Sequence, residues 1–261
     1  MDLGLQGRGA LVLGAGSGLG QAIAVALARE GAHVVAAGRT AATVEQTAAD
    51  ITAAGGTATP LVLDLRRPET FAAAVADAEA AAGSLDVLVN NTGGPPPGPV
   101  GGVDAAVWRE QFEAMVLSVF ALTDLVLPAM RRRGWGRILT STSSGTVVPI
   151  PQLGISNALR SALHGWSKTL ATEVGGDGVT VNILVPGRIA TARTAALDGA
   201  RAEREGQPVA AVAAQSRARI PVGRYGRPEE YGDAAAFLAG DRASYITGSV
   251  LRIDGGMIGA A

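Results

Sequence analysis

A glycine-rich run near the N-terminus is the first part of the chain that could do chemistry. It stands between an apolar run and a helical pattern and reads Gly14-Ala15-Gly16-Ser17-Gly18-Leu19-Gly20. Glycines allow the backbone to turn sharply and to approach a pyrophosphate, and the following helix offers free N–H groups and a partial positive charge. The run therefore predicts a dinucleotide site, the alternative being a tight strand-to-helix turn.

A second candidate group is a cluster of hydroxyl side chains, Ser141, Thr142, Ser143 and Ser144, at the end of a later apolar run. These side chains could hydrogen-bond a substrate carbonyl. The alternative is that two of them only cap the end of a strand. The cluster therefore marks a place where a substrate could sit, and Ser143 is its strongest member for the reason given below.

The elements that would position these residues follow from a regular alternation of short apolar runs with alanine-rich helical segments, which is typical of βαβ units and a parallel sheet. Strands are predicted near 9–13, 33–37, 59–63, 86–90, 136–141, 179–184 and 249–253. Helices are predicted near 18–30, 41–54, 69–82, 105–132, 155–174 and 228–239. The expected fold is α/β: a Rossmann-type, doubly wound, seven-stranded parallel sheet with helices on both faces.

The whole chain, 1–261, fits one such domain. The segment 188–222 interrupts the alternation with arginines, alanines and a helical stretch. In an α/β sheet an insertion after the carboxyl end of a strand lies over the ligand crevice. We therefore predict that this segment is a substrate lid. Its arginines, Arg188, Arg193, Arg201 and Arg204, could attract an anion, although solvated helix faces carry such residues routinely.

Composition excludes several classes of function. The formal net charge is −1 and no basic block carries interleaved aromatics, so nucleic acid is not an expected partner. The chain has no cysteine, and His33 and His164 lie far apart in sequence, so no metal site is expected. The uncharged stretch from Gly9 to Ala28 is broken by glycines and lacks a basic leader, so neither a membrane helix nor a signal peptide is expected. A cytoplasmic protein with a small-molecule substrate follows by default.

Several motifs then fall in one order along the chain, and together they resemble the short-chain dehydrogenase/reductase family over essentially the whole length. The glycine spacing Gly14-x-x-x-Gly18-x-Gly20 is the version typical of that family. The other matching segments are Asp64 after the third strand, Asn90-Asn91-Thr92-Gly93, Pro186-Gly187-x-Ile189-x-Thr191, Gly223-Arg224-x-Gly226-x-Pro228-Glu229-Glu230, Tyr245-Ile246-Thr247-Gly248 and Asp254-Gly255-Gly256.

The resemblance implies a set of cofactor-binding residues. Gly14, Ser17, Gly18, Leu19 and Gly20 would form the phosphate loop. Asp64 and Leu65 would meet the adenine, and Asn91, Thr92 and Gly93 would line the dinucleotide. Pro186, Gly187, Ile189 and Thr191 would contact its nicotinamide end. Each has a simpler alternative: Asn91 could bridge neighbouring strands, Asp64 could cap a turn, and Pro186 with Gly187 could only shape a loop.

The choice between NAD(H) and NADP(H) turns on the residue that ends the second strand, where a carboxylate would bind the ribose 2′-hydroxyl. The tip reads Gly38-Arg39-Thr40, and no acid follows until Glu45. Arg39 can bind a 2′-phosphate through a charge-assisted fork, so NADP(H) is favoured. Against this, Arg39 could be an ordinary solvated arginine, and Ser17 occupies a position where many NADP-using relatives carry a basic residue.

The catalytic pattern of the family is altered. Its members use an asparagine, a serine, a tyrosine and a lysine, the tyrosine standing four residues before the lysine on one helix. Alignment places these at Met115, Ser143, Ser156 and Arg160, so only Ser143 matches. Ser156 and Arg160 keep the four-residue spacing and therefore one helix face. Met115 is expected to be a core residue that fills a gap between helices.

The altered residues change what the site could do. A serine hydroxyl is a much weaker acid than a phenol, and arginine does not relay protons near neutral pH. Loss of a general acid costs on the order of 10²–10⁴-fold in rate. Arg160 could still hydrogen-bond the ribose and hold positive charge beside the nicotinamide. Neither Tyr225, Tyr231 nor Tyr245 is assigned as a replacement acid, and His164, one turn beyond Arg160, is expected at a surface or subunit contact.

Three functions remain open on the sequence. The first is an NADP(H)-dependent oxidoreductase of a small carbonyl or alcohol with non-standard proton delivery. The second is a non-redox lyase or isomerase in the same pocket, and the third is a catalytically silent nucleotide-binding subunit. The resemblance also implies a homo-oligomer, a dimer or tetramer, and the apolar tail Met257–Ala261 is compatible with a subunit contact.

Overall fold

The computed structural model describes residues 1–259 as a three-layer arrangement of helices around one sheet. All seven strands run parallel, in the order β3-β2-β1-β4-β5-β6-β7. The strands are β1 (Gly9–Leu13), β2 (His33–Gly38), β3 (Thr57–Val62), β4 (Val87–Asn90), β5 (Gly136–Ser141), β6 (Val179–Pro186) and β7 (Val250–Ile253). The predicted fold class is confirmed.

Nine α-helices are present among these residues. They are α1 (Gly18–Arg29), α2 (Ala41–Ala53), α3 (Phe71–Ala82), α4 (Ala105–Phe112), α5 (Ser118–Arg133), α6 (Gly154–Val174), α7 (Ala192–Glu205), α8 (Val209–Ala218) and α9 (Pro228–Ala239). All seven strands and the helices outside the lid lie within a few residues of their predicted ranges. The two residues after Gly259, part of the predicted apolar tail, lie outside the described residues.

The strand order reverses between β1 and β4. From β1 the chain winds outward through β2 to β3, and from β4 it winds the other way to β7. Leu11 pairs with Val35 on one side and with Leu88 on the other. In open α/β sheets the crevice at such a reversal, outside the carboxyl ends of the strands, is where ligands bind. The fold therefore places the predicted site between the ends of β1 and β4.

Alternating residues of the central strands point into two separate cores. On one face Ala10 and Val12 pack with α1 and α9, where the phenol ring of Tyr231 is fully buried. On the other face Leu11 and Leu13 pack with α3, α5 and α6. Strands buried on both faces read as continuous apolar runs, which is why the sequence pattern identified β1 and β4 to β6 so clearly.

The segment predicted as one helix over 105–132 contains a wide turn. Residues Glu113–Leu117 form a π-helix between α4 and α5. Its Met115 is buried with Val119 and Leu159, so the expectation that Met115 is a core residue is confirmed. No periodicity in the sequence signals this turn, because a single wide turn disturbs a long apolar helix pattern very little.

The continuous helical segment Ala105–Arg133 is long and apolar enough, by length and composition alone, to cross a membrane. It nevertheless packs in the fold as a core helix does: Leu122, Val126 and Met130 are buried in the core shared with α3 and α6. The uncharged stretch noted at Gly9–Ala28 is divided between β1, the glycine loop and α1. The two apolar stretches are thus accounted for by packing within the domain.

A glycine in α9 gives a direct test of how tightly the first core is packed. A Cβ at Gly232 would lie 2.4 Å from the Ala22 carbonyl oxygen of α1. We expect Gly232→Ala to lower the free energy of unfolding by about 1–2 kcal/mol, because overpacking costs about 1–3 kcal/mol and outweighs a gain in helix propensity of about 1 kcal/mol. Chemical denaturation measures this.

Gly199 in α7 is the matched control, since a Cβ there would meet nothing within 4 Å. Gly199→Ala should leave stability unchanged or raise it by up to about 1 kcal/mol. Equal effects of the two substitutions would contradict the close contact between α1 and α9.

Candidate active site

The site residues expected from the sequence all follow the carboxyl ends of strands or stand on α6. Gly14 to Gly20 connect β1 to α1, Arg39 follows β2, and Asp64 and Leu65 follow β3. Asn91 to Gly93 follow β4, Ser143 follows β5, and Pro186 to Thr191 lead from β6 into α7. Because carboxyl ends of parallel strands meet at one edge of a sheet, the fold collects these residues along one side of the molecule.

The glycine loop is packed so closely that larger residues would not fit. Gly14 and Gly18 have positive φ angles of 62° and 57°, which favour glycine. A Cβ at Gly14 would lie 2.6 Å from the Asn91 carbonyl oxygen, and one at Gly20 would lie 2.1 Å from the Gly14 carbonyl oxygen. The Asn91 side chain donates a hydrogen bond to the Leu13 carbonyl at 3.3 Å and so bridges the ends of β4 and β1. The loop and its neighbour therefore form one rigid unit.

Helix α1 begins directly after this loop, and no side chain caps the backbone N–H groups of its first turn. Ser17 is the N-cap residue in extended conformation, and its hydroxyl makes no capping hydrogen bond. The first helical hydrogen bond is donated by the Gln21 N–H to the Ser17 carbonyl at 3.3 Å. The N–H groups of the first turn and the positive end of the helix dipole suit a phosphate group.

Charged residues flank the end of the crevice at β2 and β3. Arg39 is exposed, and its side chain makes no hydrogen bond or ion pair with another described residue. Asp64 pairs with Arg66 at 2.6 Å. The hydrogen bonds from Arg66 lower the pKa of Asp64 to about 2, and the charge of Arg39 adds to this. Leu65 is partly buried against the core. Arg39 is thus free to accept a phosphate ligand, whereas Asp64 already has a partner.

Arg160 is the most unusual residue of the site because it is a buried cation without an ion pair. Its guanidinium donates to the carbonyl oxygens of Ser141, Thr92 and Gly93, each at 3.0 Å. Among the described residues no carboxylate lies within ion-pair distance of it. Burial lowers the pKa of Arg160 to about 10, which leaves it charged at neutral pH. Arg160 therefore holds the loop after β4 against the end of β5.

Ser143 follows Ser141, whose carbonyl binds Arg160, by two residues, and neither Ser143 nor Ser156 is hydrogen-bonded to Arg160 or to the other serine. The Ser143 hydroxyl oxygen accepts the Gly145 N–H at 3.1 Å, which leaves its own proton available to another acceptor. Ser156 is buried one turn before Arg160 on α6. Asn157 beside it donates to the Ile150 carbonyl at 2.9 Å and so fixes the segment after Ser143. The structure supplies hydroxyl groups and a fixed cation at the site.

The side chains considered as replacement acids are engaged elsewhere. Tyr231 is fully buried, its hydroxyl lies 2.8 Å from the Ser141 hydroxyl, and burial raises its pKa. The Tyr225 hydroxyl donates to Asp198 at 2.6 Å, and burial followed by that bond raises its pKa. His164 is half-buried rather than a free surface residue; its Nε2 lies 3.4 Å from the Thr142 hydroxyl, and burial lowers its pKa.

The predicted lid consists of α7, α8 and their flanking loops, and it crosses the crevice at two points. Thr191 caps α7 and stands beside Gly18, where a Cβ would lie 3.6 Å from its methyl group. Arg193 donates to the Pro95 carbonyl in the loop after β4 at 2.9 Å. At Gly187, between β6 and α7, the backbone passes so close to Asp254 that only glycine fits, since a Cβ there would lie 2.5 Å from Asp254 Cα.

Sequence reasoning missed the contacts that hold this lid in place. Asp198 of α7 is buried and accepts from Arg188 at 2.5 Å and from Tyr225 at 2.6 Å. The sequence contains Asp198 only as one of several acids on a polar helix, and nothing in the pattern sets it apart. The contact of Arg193 with Pro95 was equally hidden, because its partner is a backbone group 98 residues away.

The geometry defines a dinucleotide-binding protein of the Rossmann type. A family model described as enoyl-(acyl carrier protein) reductase matches residues 14–258. The 3-oxoacyl-[acyl-carrier-protein] reductase FabG of Escherichia coli is 36% identical over 257 residues, which cover 98% of this chain and 99% of that protein. Dehydrogenase/reductase SDR family member 4 of Bos taurus is 34% identical, over 97% and 88% of the two chains. The chain belongs to the short-chain dehydrogenase/reductase family and is an oxidoreductase of that type.

Solved structures agree with this assignment. L-Sorbose reductase from Gluconobacter frateurii, complexed with NADPH and L-sorbose, has a TM-score of 0.93 and 32% identity, and each chain is covered completely. A variant of actinorhodin polyketide ketoreductase with NADPH has a TM-score of 0.91 and 31% identity, over 96% of this chain and 97% of that one. The likeness therefore extends over nearly the whole chain and not only over the sheet.

Tyr231 provides a test of which hydroxyl groups are structural. Tyr231→Phe should lower the free energy of unfolding by about 1–3 kcal/mol, because the buried Ser141 hydroxyl loses its partner. NADPH binding and the rate of any hydride transfer should remain within about twofold. The test combines denaturation with a fluorescence titration. A large loss of activity without a loss of stability would instead make Tyr231 the missing acid.

Proposed function

We propose that this oxidoreductase transfers hydride between NADP(H) and a small carbonyl or alcohol substrate without a phenolic acid. The proposal is supported by the glycine loop between β1 and α1 together with Ser156 and Arg160 at consecutive turns of α6, the positions at which the resemblance implies the family's tyrosine and lysine. The cofactor machinery is retained, while the groups that would move a proton differ.

The fit of a dinucleotide is supported by the backbone between β1 and α1. The positive φ angles of Gly14 and Gly18 turn the backbone tightly into α1, and the hydroxyl of Ser17 and the first N–H groups of α1 are available to a pyrophosphate. Asn91, Thr92 and Gly93 form the facing wall. Pro186, Gly187, Ile189 and Thr191 would border the nicotinamide end, which supplies the hydride when the cofactor is bound.

Preference for NADP(H) rests on Arg39. Its side chain is exposed and has no carboxylate partner, and no acid stands at the tip of β2 to repel a 2′-phosphate. The relatives described above with NADPH are compatible with this choice. Asp64 would accept from the adenine only if it shared or released its bond with Arg66.

The roles of the three candidate catalytic residues follow from their contacts. Ser143 accepts from Gly145, so its own O–H can donate to a substrate carbonyl oxygen and polarise it. Arg160 holds a fixed positive charge that stabilises a developing alkoxide. Its Nε–H makes no bond with a described residue and is available to a ribose hydroxyl. Ser156 can pass a proton from water along a hydroxyl chain, but neither it nor Arg160 is an acid near neutral pH.

A non-redox lyase or isomerase, or a silent nucleotide-binding subunit, remains the second candidate. The observation in its favour is that Tyr231 and Tyr225 are hydrogen-bonded to other side chains, Tyr245 is fully exposed before β7, and Arg160 is bound to backbone carbonyls. Both alternatives retain cofactor binding or nucleotide binding and lack net hydride transfer, so turnover separates them from the leading function.

The oligomer implied by the family is also part of the proposal. Exposed apolar side chains occur along α4, the π-helix and α5, namely Val107, Phe112, Leu117 and Leu125. Val250 and Leu251 on the edge strand β7 are also exposed. Such surfaces suit contact between subunits. Light scattering should give a mass of two or four times the 26.2 kDa chain. A monomer at micromolar concentration would contradict the proposal.

The cofactor assignment is tested at Arg39. Arg39→Gln should raise the Kd of NADPH by about tenfold or more and leave that of NADH within about twofold, because a charge-assisted hydrogen bond to the 2′-phosphate is lost. Arg132→Gln, an exposed arginine at the far end of α5, is the matched control and should change neither Kd. Nucleotide fluorescence measures both. An equal loss for NADPH and NADH would contradict a role in 2′-phosphate recognition.

The reaction itself is tested with a carbonyl panel and a paired substitution. The wild-type protein should oxidise NADPH with at least one small carbonyl compound. Ser156→Tyr with Arg160→Lys should reduce that rate, because a compact ammonium on a flexible stem does not match the planar geometry in which the guanidinium binds its three carbonyls. Cofactor consumption and product analysis are the readouts. Activity that arises only in the double variant would favour the silent subunit, and product formed without net redox change would favour a lyase or isomerase.

A further inference from the structure

Four of the six arginines in the segment 188–222 stand on α7 or just before it, and they differ in their partners. Arg188 is paired with Asp198 at 2.5 Å, Arg201 with Glu205 at 2.8 Å, and Arg204 with Glu205 at 3.7 Å. Arg193 has no carboxylate within ion-pair distance among residues 1–259. Arg201 and Arg204 thus share one carboxylate, and Arg193 is the one of these four arginines without a carboxylate partner among the described residues.

The position of Arg193 adds to the positive charge of this part of the molecule. It stands in the first turn of α7, which contains no acidic residue, so it adds to the positive end of the helix dipole. Its guanidinium donates to the Pro95 carbonyl at 2.9 Å, in the loop that Arg160 holds from behind through the carbonyls of Thr92 and Gly93. Two guanidinium groups thus contact the same short segment, 92–95, from two sides.

The two cations are close enough to influence each other. Burial lowers the pKa of Arg160, the hydroxyl of Tyr231 opposes this, and the charge of Arg193 lowers the pKa by a lesser amount than either. Like charges placed together without an acid are unfavourable unless an anion joins them. Two arginines and the positive end of a helix therefore stand at the mouth of the crevice without an acidic partner.

We infer that Arg193, backed by Arg160, binds a carboxylate group of the substrate, so that the natural substrate is an oxo acid or hydroxy acid rather than a neutral carbonyl compound. This inference rests on the proposed function, since it assigns the substrate class of the same site. Arg193 is exposed at the lid and can swing from Pro95 to an incoming anion, whereas Arg160 is fixed. A bidentate arginine–carboxylate contact would orient the substrate before the lid closes over it.

The test uses matched probes on the protein saturated with NADP⁺. D-Gluconate and levulinate are the carboxylates, and sorbitol and the methyl ester of levulinate are their uncharged counterparts. Calorimetric titration should show binding of at least one carboxylate that is about tenfold or more tighter than that of its uncharged counterpart and that weakens as salt is raised. Absence of carboxylate binding, or equal affinity for the neutral counterpart, would overturn the inference.

Substitution at the lid assigns the effect to one side chain. Arg193→Met should weaken carboxylate binding by about tenfold or more, and Arg193→Glu should abolish it, both with an unchanged unfolding midpoint because the side chain is exposed. Arg204→Met on the same helix is the matched control and should change affinity by less than twofold. If the Arg193 and Arg204 variants lost carboxylate affinity equally, the effect would come from the overall charge of the lid, and the inference would be overturned.

The same titrations separate this inference from the proposed function. If the wild-type protein fails to bind NADPH, the proposed function fails. If NADPH binds and carbonyl compounds are reduced but charge on the substrate has no effect, the inference fails alone. If Arg193→Met weakens the binding of NADP⁺ about tenfold and leaves carboxylate affinity unchanged, Arg193 binds a phosphate of the cofactor, and the inference is again overturned.

Discussion

The guanidinium of Arg160 lies between the ends of two neighbouring strands and donates to backbone carbonyls of both connections. Taking an arginine out of water costs several kcal/mol, and here hydrogen bonds to the carbonyls of Ser141, Thr92 and Gly93 offset that cost in place of a carboxylate. Each such bond to a charged donor contributes about 1.5–3 kcal/mol. The geometry needs the planar fork of arginine, because an ammonium group is a compact point charge on a flexible stem.

This contact links the local structure to the chemistry. It fixes the loop after β4, which also meets the glycine loop through Asn91 and the lid through Pro95. The cofactor loop, the hydroxyl groups after β5 and the lid therefore share one rigid segment. The same contact commits Arg160 to a structural and electrostatic role, since a permanently charged group bound to carbonyls holds charge but does not deliver protons. Catalysis at this site must then depend on positioning and on electrostatic stabilisation.

Much of the fold and part of the site could be predicted from the residues alone. Continuous apolar strands, alanine-rich helices and the glycine spacing specify the sheet and its first turn, and the four-residue spacing places Ser156 and Arg160 on one helix face. The partners of each arginine could not be predicted. Whether Arg188 or Arg193 finds a carboxylate depends on residues brought together by tertiary folding, Asp198 in one case and only a backbone carbonyl in the other. The π-turn around Met115 was hidden for a similar reason, because its apolar pattern continues through both helices.

The pH dependence of kcat/KM for carbonyl reduction by NADPH tests most directly whether the site works without a phenolic or imidazole acid. Arg160 stays charged and the serine hydroxyls do not titrate between about pH 6.5 and 9, and burial lowers the pKa of His164 away from this range. The account predicts a profile without an inflection between these limits. An inflection that disappears in Tyr225→Phe or His164→Gln would contradict it, because a titrating side chain would then be the proton donor.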